Sequence, residues 1–331
     1  MRKEILYLSE SDVEHTNITM KQVINIVEAA FLAHEKGKDV LPPKLFLDMR
    51  PFGYNCDGDV MPAYVDSDKV CGVKWIGGSI DNYKLNLPYL FSIIILNDPK
   101  TFIPMAIISG NLLTGMRTGA ATAVAVKYLT NKNSSNVFIV GAGFQSKYQL
   151  LALREVLKIE KVKVFDIRKS VQEKFIKDMN ENADLEIEGV GSIKNGIKDS
   201  DVIVTVTTAN EGLIKKEWFD NDDGCLICSL GTFQEVDYDL ITSMDKIIVD
   251  NREQVKYTGT LATFFSKGML SDKDIYAELG EIMALKKVGR ESKTEKILCV
   301  LTGYASEDIS LAFQVYKRAK AKGIGRMLPI F

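Results

Sequence analysis

The chain contains very little histidine. Only two of its 331 residues are His, His15 and His34, and both lie near the N-terminus. A zinc site built from several histidines is therefore strongly disfavoured, because the ligands are missing. A Ser-His-Asp hydrolase would need one of these two residues as its base, and no GxSxG nucleophile motif occurs.

Cysteine is also scarce, and its pattern argues against a metal site. The five cysteines are an odd number in a long chain, which predicts reduced thiols in the cytoplasm. Cys225 and Cys228 form a CxxC pair within GCLICSLG, an apolar run typical of a strand, in which positions three apart face opposite sides. No second pair exists to complete a metal site. We therefore expect buried strand cysteines and no bound metal.

The chain has neither an excess of one charge nor a long apolar run. Lys and Arg number 42 and Asp and Glu 44, so the net charge of -2 gives no basic footprint for nucleic acid. No apolar run reaches the ~18 residues of a membrane-spanning helix. The start, MRKEILYLSESDV, turns acidic before a signal sequence could form. These features predict a cytoplasmic protein that binds neither nucleic acid nor a membrane.

Two sequence textures suggest two domains. Strand-like runs from 44 to about 96 predict a mostly β region, after a helix over 17–36 that begins at Asn17 or Thr19. From 113 onward, apolar strands alternate with helices, which favours a parallel, doubly wound sheet. The predicted elements are helices over 113–129, 147–159 and 306–323 and strands over 137–140, 161–167, 202–207, 224–231 and 245–250. The predicted fold class is α/β, a Rossmann domain plus an α+β domain.

The most specific local pattern is VFIVGAGFQS, a glycine loop between an apolar strand and a helix. Gly141 permits the tight turn, Gly143 lets a pyrophosphate approach the backbone, and Ser146 lets the helix lie on the strand. The helix N-terminus then offers free N–H groups to the phosphates. The alternative is a glycine turn without a ligand. It is disfavoured because strand, turn, helix and second strand all agree.

An acidic residue ends the second strand, as a dinucleotide site requires. Asp166 in KVKVFDI lies where a carboxylate hydrogen-bonds the adenosine ribose and repels a 2′-phosphate, which predicts NAD and makes NADP the weaker candidate. Arg168 and Lys169 lie just beyond and weaken this preference. The predicted cofactor-binding residues are Gly141, Gly143, Phe144, Gln145, Ser146, Asp166, Arg168 and Thr207.

Four further stretches carry a resemblance that spans nearly the whole chain. They are LPPKLFLD, MPAYV…CGVKWIGG, ILNDPKTFIPMAIISGNLLTGMRTGAATAVAVKYL and GAGFQS, with LTGYASEDISLAF as a weaker match. They resemble the ornithine cyclodeaminase/mu-crystallin family, which includes cyclodeaminases, ketimine reductases, an alanine dehydrogenase and amino-carboxyethyl-glutamate dehydrogenases. The resemblance implies an enzyme acting on a small amino or imino acid. It also implies a homodimer formed through the β region, whose sheet edges would suit that role.

The resemblance implies three cationic residues for a substrate carboxylate. Lys44 follows the Pro pair where the family usually has Arg, Lys74 lies in the GVK stretch, and Arg117 lies in MRTGAA. Arg grips a carboxylate with two parallel bonds, whereas Lys acts as a point charge, so Lys44 would loosen that grip. Lys74 stands in an otherwise apolar run, where a surface charge is the weaker alternative. For Arg117, an ordinary helix salt bridge is equally compatible with the residues alone. Lys74 and Arg117 are the predicted catalytic residues.

The chain departs from the cyclodeaminase pattern at one position. Family cyclodeaminases carry a catalytic Asp in a GxDxPG motif, whereas residues 231–235 read GTFQE and Phe233 stands in its place. Phenylalanine cannot transfer a proton or hold an ammonium ion by charge, and the spacing does not support Glu235 or Asp237 as substitutes. An amino-acid dehydrogenase or imine reductase is therefore favoured over an ammonia-releasing cyclodeaminase. A non-catalytic, crystallin-like binding protein is the other alternative, against which the retained cations argue.

The predicted organisation follows from the resemblance. Residues 1–113, completed by 305–331, would form the substrate-binding and dimerisation domain. Residues 114–304 would form the Rossmann domain that binds NAD. The active site is expected between them, at the carboxyl ends of the parallel strands.

Overall fold

The chain divides into two compact units. The computed structural model describes residues 4–183, 185–220 and 224–330. Unit 1 comprises Met1–Arg117 and Tyr304–Phe331, and unit 2 comprises Thr118–Gly303. The predicted division at 113 and 305 falls four residues and one residue from these boundaries. The roles given to the two domains stay predictions.

Strands and helices follow one another along the whole of the described chain. In chain order they are β1 (Glu4–Leu8), α1 (Glu10–His15), α2 (Met20–Glu35), β2 (Asp39–Val40), β3 (Leu45–Asp48), β4 (Cys56–Val65), β5 (Val70–Ser79), β6 (Leu90–Asn97), β7 (Pro104–Ser109), α3 (Asn111–Leu129), β8 (Asn136–Val140), α4 (Phe144–Leu153), β9 (Lys161–Phe165), α5 (Lys169–Ala183), β10 (Ile187–Gly189), α6 (Ile193–Ile197), β11 (Val202–Thr205), β12 (Cys225–Ser229), α7 (Tyr238–Ile241), β13 (Lys246–Val249), α8 (Ala262–Ser266), β14 (Ala277–Glu278), α9 (Leu279–Met283), β15 (Lys296–Val300), α10 (Ala305–Lys322) and β16 (Arg326–Pro329).

Unit 1 is built on a mostly antiparallel sheet. Its strand order is β16-β1-β7-β6-β5-β4-β2, with β3 also paired to β4, and only β1 and β7 run parallel. Helix α10 packs on β4, β5, β6 and α2. Helix α2 begins at Thr19, whose hydroxyl accepts a hydrogen bond from the Gln22 N–H in a capping box. Of the two predicted start residues, Thr19 is therefore the N-cap.

The two faces of this sheet have different environments. Lys74 pairs in register with Met61 and Ile94, and all three are buried. The next residue along β5, Trp75, points to the other face and is 60% exposed, in register with exposed Ile93. Side chains alternate between the faces of a strand, so the buried side carries the core and the opposite side presents apolar groups outward.

Unit 2 contains an eight-stranded sheet in which every pair runs parallel. Its order is β10-β9-β8-β11-β12-β15-β13-β14. The chain moves outward from β8 through β9 to β10, then returns to the other side of β8 at β11. That reversal makes β8 and β11 the neighbours beyond whose carboxyl ends ligands bind in doubly wound folds. The predicted α/β class, a Rossmann-type unit beside an α+β unit, is confirmed.

Several element boundaries differ from the predictions. The helix predicted over 147–159 is α4, Phe144–Leu153, because Gly143 serves as its N-cap and the chain leaves the helix through a turn in which Glu155 N–H donates to the Ala152 carbonyl. No strand was predicted at the positions of β1, β2, β7, β14, β15 and β16. Every residue of β16 is exposed, so the strand has no buried apolar face that a sequence pattern could show. It is defined by its pairing with β1.

Three further expectations concern the cysteines, membrane-spanning helices and metal ions. Cys225 and Cys228 are both buried in β12, and all five cysteines are free thiols. Across the described ranges, no helix combines the length and the apolar character needed to cross a bilayer. In the same ranges, no three His, Cys, Asp or Glu side chains gather closely enough to bind a metal ion.

Candidate active site

The buried face of the unit 1 sheet carries a charge cluster around Lys74. The Lys74 side chain is fully buried, and its Nζ lies 2.6 Å from Oδ2 of Asp308. Arg117, near the start of α3, is almost fully buried and donates from Nε to Oδ1 of Asp308 over 3.1 Å. Each oxygen of Asp308 therefore pairs with a different cation. Two cations can be buried side by side here because an anion lies between them.

Glu307 adds a second anion to this cluster. Nη1 of Arg117 lies 3.3 Å from Oε2 of Glu307, and that same oxygen accepts a hydrogen bond from the Tyr304 N–H. Glu307 and Asp308 lie in the first turn of α10, where the helix dipole stabilises carboxylates. Glu307 thus connects Arg117 to the backbone at the start of α10.

The surroundings of Lys74 lower its proton affinity. The pKa of Lys74 is lowered from 10.5 to about 8, chiefly by burial and then by the neighbouring charge of Arg117, while Asp308 opposes the change. An amine that titrates near neutral pH can hold a proton or exchange it, which suits a group in general acid–base catalysis. Lys74 can therefore act both as a carboxylate ligand and as a proton-exchanging group.

Lys44 belongs to the same region of unit 1. Its Nζ lies 3.4 Å from Oδ2 of Asp59, on a strand that neighbours β5, and both side chains are mostly buried. Its charge also contributes to lowering the pKa of Lys74, so the two cations are within electrostatic range. The other carboxylate oxygen of Asp59, Oδ1, is buried without a hydrogen-bond partner among the described atoms. The structure thus brings all three predicted cations into one unit.

Sequence reasoning missed the two acids of this cluster. The stretch LTGYASEDISLAF was recognised as a weak match, but neither Glu307 nor Asp308 was given a role. Both are fully buried, although they stand in a helix that also carries the exposed Lys317, Lys320 and Lys322. The available signal was a pair of adjacent acids in the first turn of that helix.

The glycine loop of unit 2 has the geometry that a phosphate site needs. Gly141 has a φ of +101°, and a Cβ there would lie 2.7 Å from the Val206 carbonyl oxygen, so only glycine fits. Gly143 is the N-cap of α4 with no side-chain capping bond, and a Cβ added to it would meet open space. The first N–H groups of α4 are thus not capped by a side chain, and the space beside them suits a pyrophosphate.

The remaining loop residues divide between inward and outward positions. Ser146 is fully buried and donates its hydroxyl proton to the Gly143 carbonyl over 2.5 Å. Oε1 of Gln145 is buried without a hydrogen-bond partner among the described atoms. Phe144, the first residue of α4, is largely exposed and its ring lies 5.0 Å from that of Tyr148. Ser146 therefore shapes the loop, while Phe144 faces outward.

Asp166 is joined directly to the glycine loop. Its Oδ2 accepts a hydrogen bond from the Ala142 N–H over 3.0 Å, and its Oδ1 accepts one from the Arg168 N–H over 2.9 Å. The Arg168 side chain is 62% exposed, with Nε 3.5 Å from Asp166. The carboxylate keeps further lone pairs for ribose hydroxyls, because each oxygen can accept two hydrogen bonds.

Glu235 and Asp237 are the two acids considered in place of the missing Asp, and Thr207 contacts the first of them. The Thr207 hydroxyl donates to Oε1 of Glu235 over 2.8 Å, and the Glu235 carboxylate is fully buried within unit 2. Asp237 precedes α7 and is partly buried, which raises its pKa. Phe233 is half-buried in the turn after β12. Glu235 is therefore committed to an internal network.

Comparison with known proteins places the chain in a family. The model of the ornithine cyclodeaminase/mu-crystallin family matches residues 3–323. The alanine dehydrogenase of Archaeoglobus fulgidus is 34% identical over 337 residues, covering 99% of each chain. The N-((2S)-2-amino-2-carboxyethyl)-L-glutamate dehydrogenase of Staphylococcus aureus is 30% identical over 339 residues, covering 100% of each.

A solved structure superimposes on this chain over nearly its whole length. The Thermococcus litoralis Δ(1)-pyrroline-2-carboxylate reductase, in complex with NADH and L-proline, is 36% identical and superimposes with a TM-score of 0.92. The match covers 97% of this chain and 99% of that one. The chain belongs to the ornithine cyclodeaminase/mu-crystallin family.

Proposed function

We propose that this chain is an NAD-dependent oxidoreductase that acts on the C–N bond of an amino acid or imino acid, as an amino-acid dehydrogenase or imine reductase. The observation that carries the proposal is end-to-end similarity, at 34% and 36% identity, to an alanine dehydrogenase and to a reductase solved with NADH and L-proline. The buried cations of unit 1 and the glycine loop of unit 2 supply the residues that such a reaction requires.

Unit 2 binds the cofactor in this proposal. Gly141, Gly143 and the N-terminus of α4 hold the pyrophosphate, and Ser146 keeps the loop in shape. Asp166 accepts hydrogen bonds from the adenosine ribose. Gln145, Phe144 and Arg168 complete the loop side. Thr207 acts through its backbone carbonyl, because its N–H and its hydroxyl both donate to Glu235. NAD, when bound, supplies the hydride acceptor or donor.

Unit 1 binds the substrate in this proposal. Arg117 and Lys74 hold the carboxylate, and Lys44 adds a third positive charge. Lys74, with a pKa of about 8, also holds or accepts a proton near the reacting nitrogen. Asp308 keeps both cations oriented before the substrate arrives, so that less of the binding energy is lost to ordering side chains.

The exposed face of the unit 1 sheet supports a homodimer. Leu45, Trp75 and Ile93 lie in neighbouring strands, in register through Val60, and all three are exposed. An exposed apolar row of this kind marks an interface. A second copy of the chain is the proposed occupant, because a related archaeal alanine dehydrogenase is described as a dimer. The free thiols support a cytoplasmic location for the enzyme.

The proposed function is tested by following NADH consumption. The pure protein is incubated with NADH and Δ1-pyrroline-2-carboxylate, or with ammonia and a panel of 2-oxo acids, while NADH absorbance is recorded. We expect NADH oxidation with at least one of these substrates, and loss of the activity in Lys74→Ala. Tight ligand binding without any NADH oxidation would favour a non-catalytic binding protein. Reduction of NAD by an amino acid would favour the dehydrogenase direction.

A further inference from the structure

A single buried carboxylate joins two segments of unit 2. Glu235 is fully buried, and its Oε2 accepts hydrogen bonds from Thr205 Oγ1 over 2.6 Å, Ser229 Oγ over 3.0 Å and Gly231 N over 2.8 Å. Its Oε1 accepts two more, from the N–H and the hydroxyl of Thr207, over 2.7 Å and 2.8 Å. Five donors thus converge on one side chain.

Two of the five contacts have a fixed direction. The backbone N–H groups of Thr207 and Gly231 can only donate, so the Glu235 oxygens accept from them, and the hydroxyls of Thr205, Thr207 and Ser229 complete the network. Apolar groups could fill the same buried space without the cost of burying a polar side chain. The arrangement instead fixes the conformations of the groups that contact Glu235.

The donors lie where the parallel strands end. Thr205 is the last residue of β11 and Ser229 the last of β12, and Thr207 and Gly231 each lie two residues beyond those strands. Strand β11 is the neighbour of β8 at the reversal of strand order. Ligands of doubly wound sheets bind beyond these carboxyl ends.

The network also reaches the glycine loop. A Cβ on Gly141 would lie 2.7 Å from the Val206 carbonyl oxygen and 3.2 Å from Cγ2 of Thr207, so residues 206–207 pack directly on the phosphate turn. On its backbone side, Glu235 donates a hydrogen bond from its N–H to the Thr260 hydroxyl over 3.0 Å. Glu235 is thus fixed at its backbone, and it in turn fixes Thr207 beside the loop.

We propose that Glu235 is a positioning residue for the nicotinamide half of NAD. Its carboxylate holds the segments 205–207 and 229–231 in the conformation that receives the nicotinamide end, whereas the β8–β10 half with Asp166 serves the adenosine end. The inference rests on the proposed NAD binding and adds a residue to it. Glu235 does not touch substrate here; it acts through the backbone and hydroxyl groups that it orders.

The test compares two ligands that share the adenosine half. Dissociation constants for NADH and for ADP-ribose are measured by calorimetry on the wild type and on Glu235→Gln, in which one acceptor oxygen is replaced by a donor NH₂ group. We expect NADH to bind about ten-fold more weakly, as when one or two hydrogen bonds are lost, with ADP-ribose affinity unchanged. Bound NADH should also lose the fluorescence enhancement that comes from a held nicotinamide ring.

A matched control separates positioning from stability. Asp250 is another buried acid of unit 2, whose carboxylate accepts from Thr302 and from the Gly303 N–H. Asp250→Asn should lower the melting temperature but leave the NADH to ADP-ribose affinity ratio at the wild-type value. Ser229→Ala removes one donor from Glu235 and should shift the ratio in the same direction as Glu235→Gln, by a smaller factor; it serves if Glu235→Gln does not fold.

The outcomes distinguish this inference from the proposed function. If the wild type binds neither NADH nor ADP-ribose, NAD binding itself is wrong. If the wild type binds both, and the variants of Glu235 and Ser229 weaken the two ligands equally or not at all, Glu235 is a structural residue and the inference is overturned.

Discussion

The ammonium group of Lys74 lies 2.6 Å from the carboxylate of Asp308, a residue 234 positions further along the chain. Asp308 also accepts a hydrogen bond from Arg117, so the two predicted catalytic cations share one counterion. A buried pair of this kind is costly to break, because removing one partner leaves an uncompensated charge. Under the proposed function, a substrate carboxylate would bind beside Asp308 or displace it, and we expect the protonation of Lys74 to control that step.

Activity should depend on pH through Lys74. The pKa of Lys74 is lowered to about 8, so its positive charge is present below that pH and is lost as the pH rises through it. We expect kcat/KM to fall on the alkaline side of about pH 8, because the uncharged amine no longer attracts a carboxylate. Asp308 raises this pKa, so Asp308→Asn should move the fall to lower pH. The measurement is a pH–rate profile at subsaturating substrate.

Asp68 offers the matched control for this profile. It lies elsewhere in unit 1, where Gln314 donates to its carboxylate. Asp68→Asn should leave the position of the alkaline fall unchanged. A profile for Asp308→Asn that coincides with that of the wild type would show that the fall reports some other group.

Removal of either cation should abolish turnover without weakening cofactor binding. Lys74→Ala and Arg117→Ala each delete a proposed ligand of the substrate carboxylate. Both residues belong to unit 1, whereas the glycine loop belongs to unit 2. We expect at least a hundred-fold loss of kcat/KM, about 3 kcal/mol, with an NADH titration close to that of the wild type. Lys21→Ala, on the exposed surface of α2, is the control for general loss of charge. A variant that keeps wild-type kcat/KM identifies its residue as structural.

The glycine-loop half of the molecule was predictable because its signals are local. The strand β8, the turn at Gly141 and the acid at Asp166 stand within about one βαβ unit of each other, and each has a fixed position in that unit. Even there, the start of α4 was misplaced by three residues, since the apolar pattern of a helix does not show that Gly143 already serves as its cap. Local rules thus gave the strand, the glycine turn and the joined acid, but not the element boundary.

The counterion of the catalytic cations was not predictable in the same way. Nothing in the spacing of Lys74 and Asp308 relates them, because the contact depends on α10 returning to pack on the unit 1 sheet. The network at Glu235 was missed for a different reason. The sequence showed a carboxylate close to Phe233 but not that Thr205, Thr207 and Ser229 all point their hydroxyls toward it.

The cofactor should be NAD rather than NADP. Asp166 presents a carboxylate beside the glycine loop, which favours a ribose hydroxyl and repels a 2′-phosphate. We expect NADH to bind at least ten-fold more tightly than NADPH, a difference of about 1.4 kcal/mol. Asp166→Ala should narrow this gap by relieving the repulsion. Arg168→Ala should widen it, because the exposed Arg168 guanidinium would attract a 2′-phosphate. Equal titration curves for both cofactors with the unmodified protein would contradict the assignment.

The half-buried Phe233 should exclude substrates that end in an ammonium group. Ornithine and lysine carry such a cation, and burying it against a phenylalanine ring without a carboxylate is costly. A cation–π contact would return only about 0.5–2 kcal/mol. The acids nearest in sequence do not compensate, because the Glu235 carboxylate is saturated by internal donors. We therefore expect a preference for substrates whose side chain is apolar, neutral or anionic.

Proline formation from ornithine decides this prediction. The unmodified protein is incubated with ornithine and catalytic NAD, and proline and ammonia are measured; we expect neither above the no-enzyme background. Alanine or Δ1-pyrroline-2-carboxylate, tested with the same preparation, shows that the enzyme is active. Phe233→Asp restores a carboxylate at this position and should improve ornithine binding, seen as competition against the preferred substrate. Robust proline formation by the unmodified protein would sink both the role given to Phe233 and the choice of a dehydrogenase or reductase over a cyclodeaminase, because an apolar group cannot hold the departing ammonium.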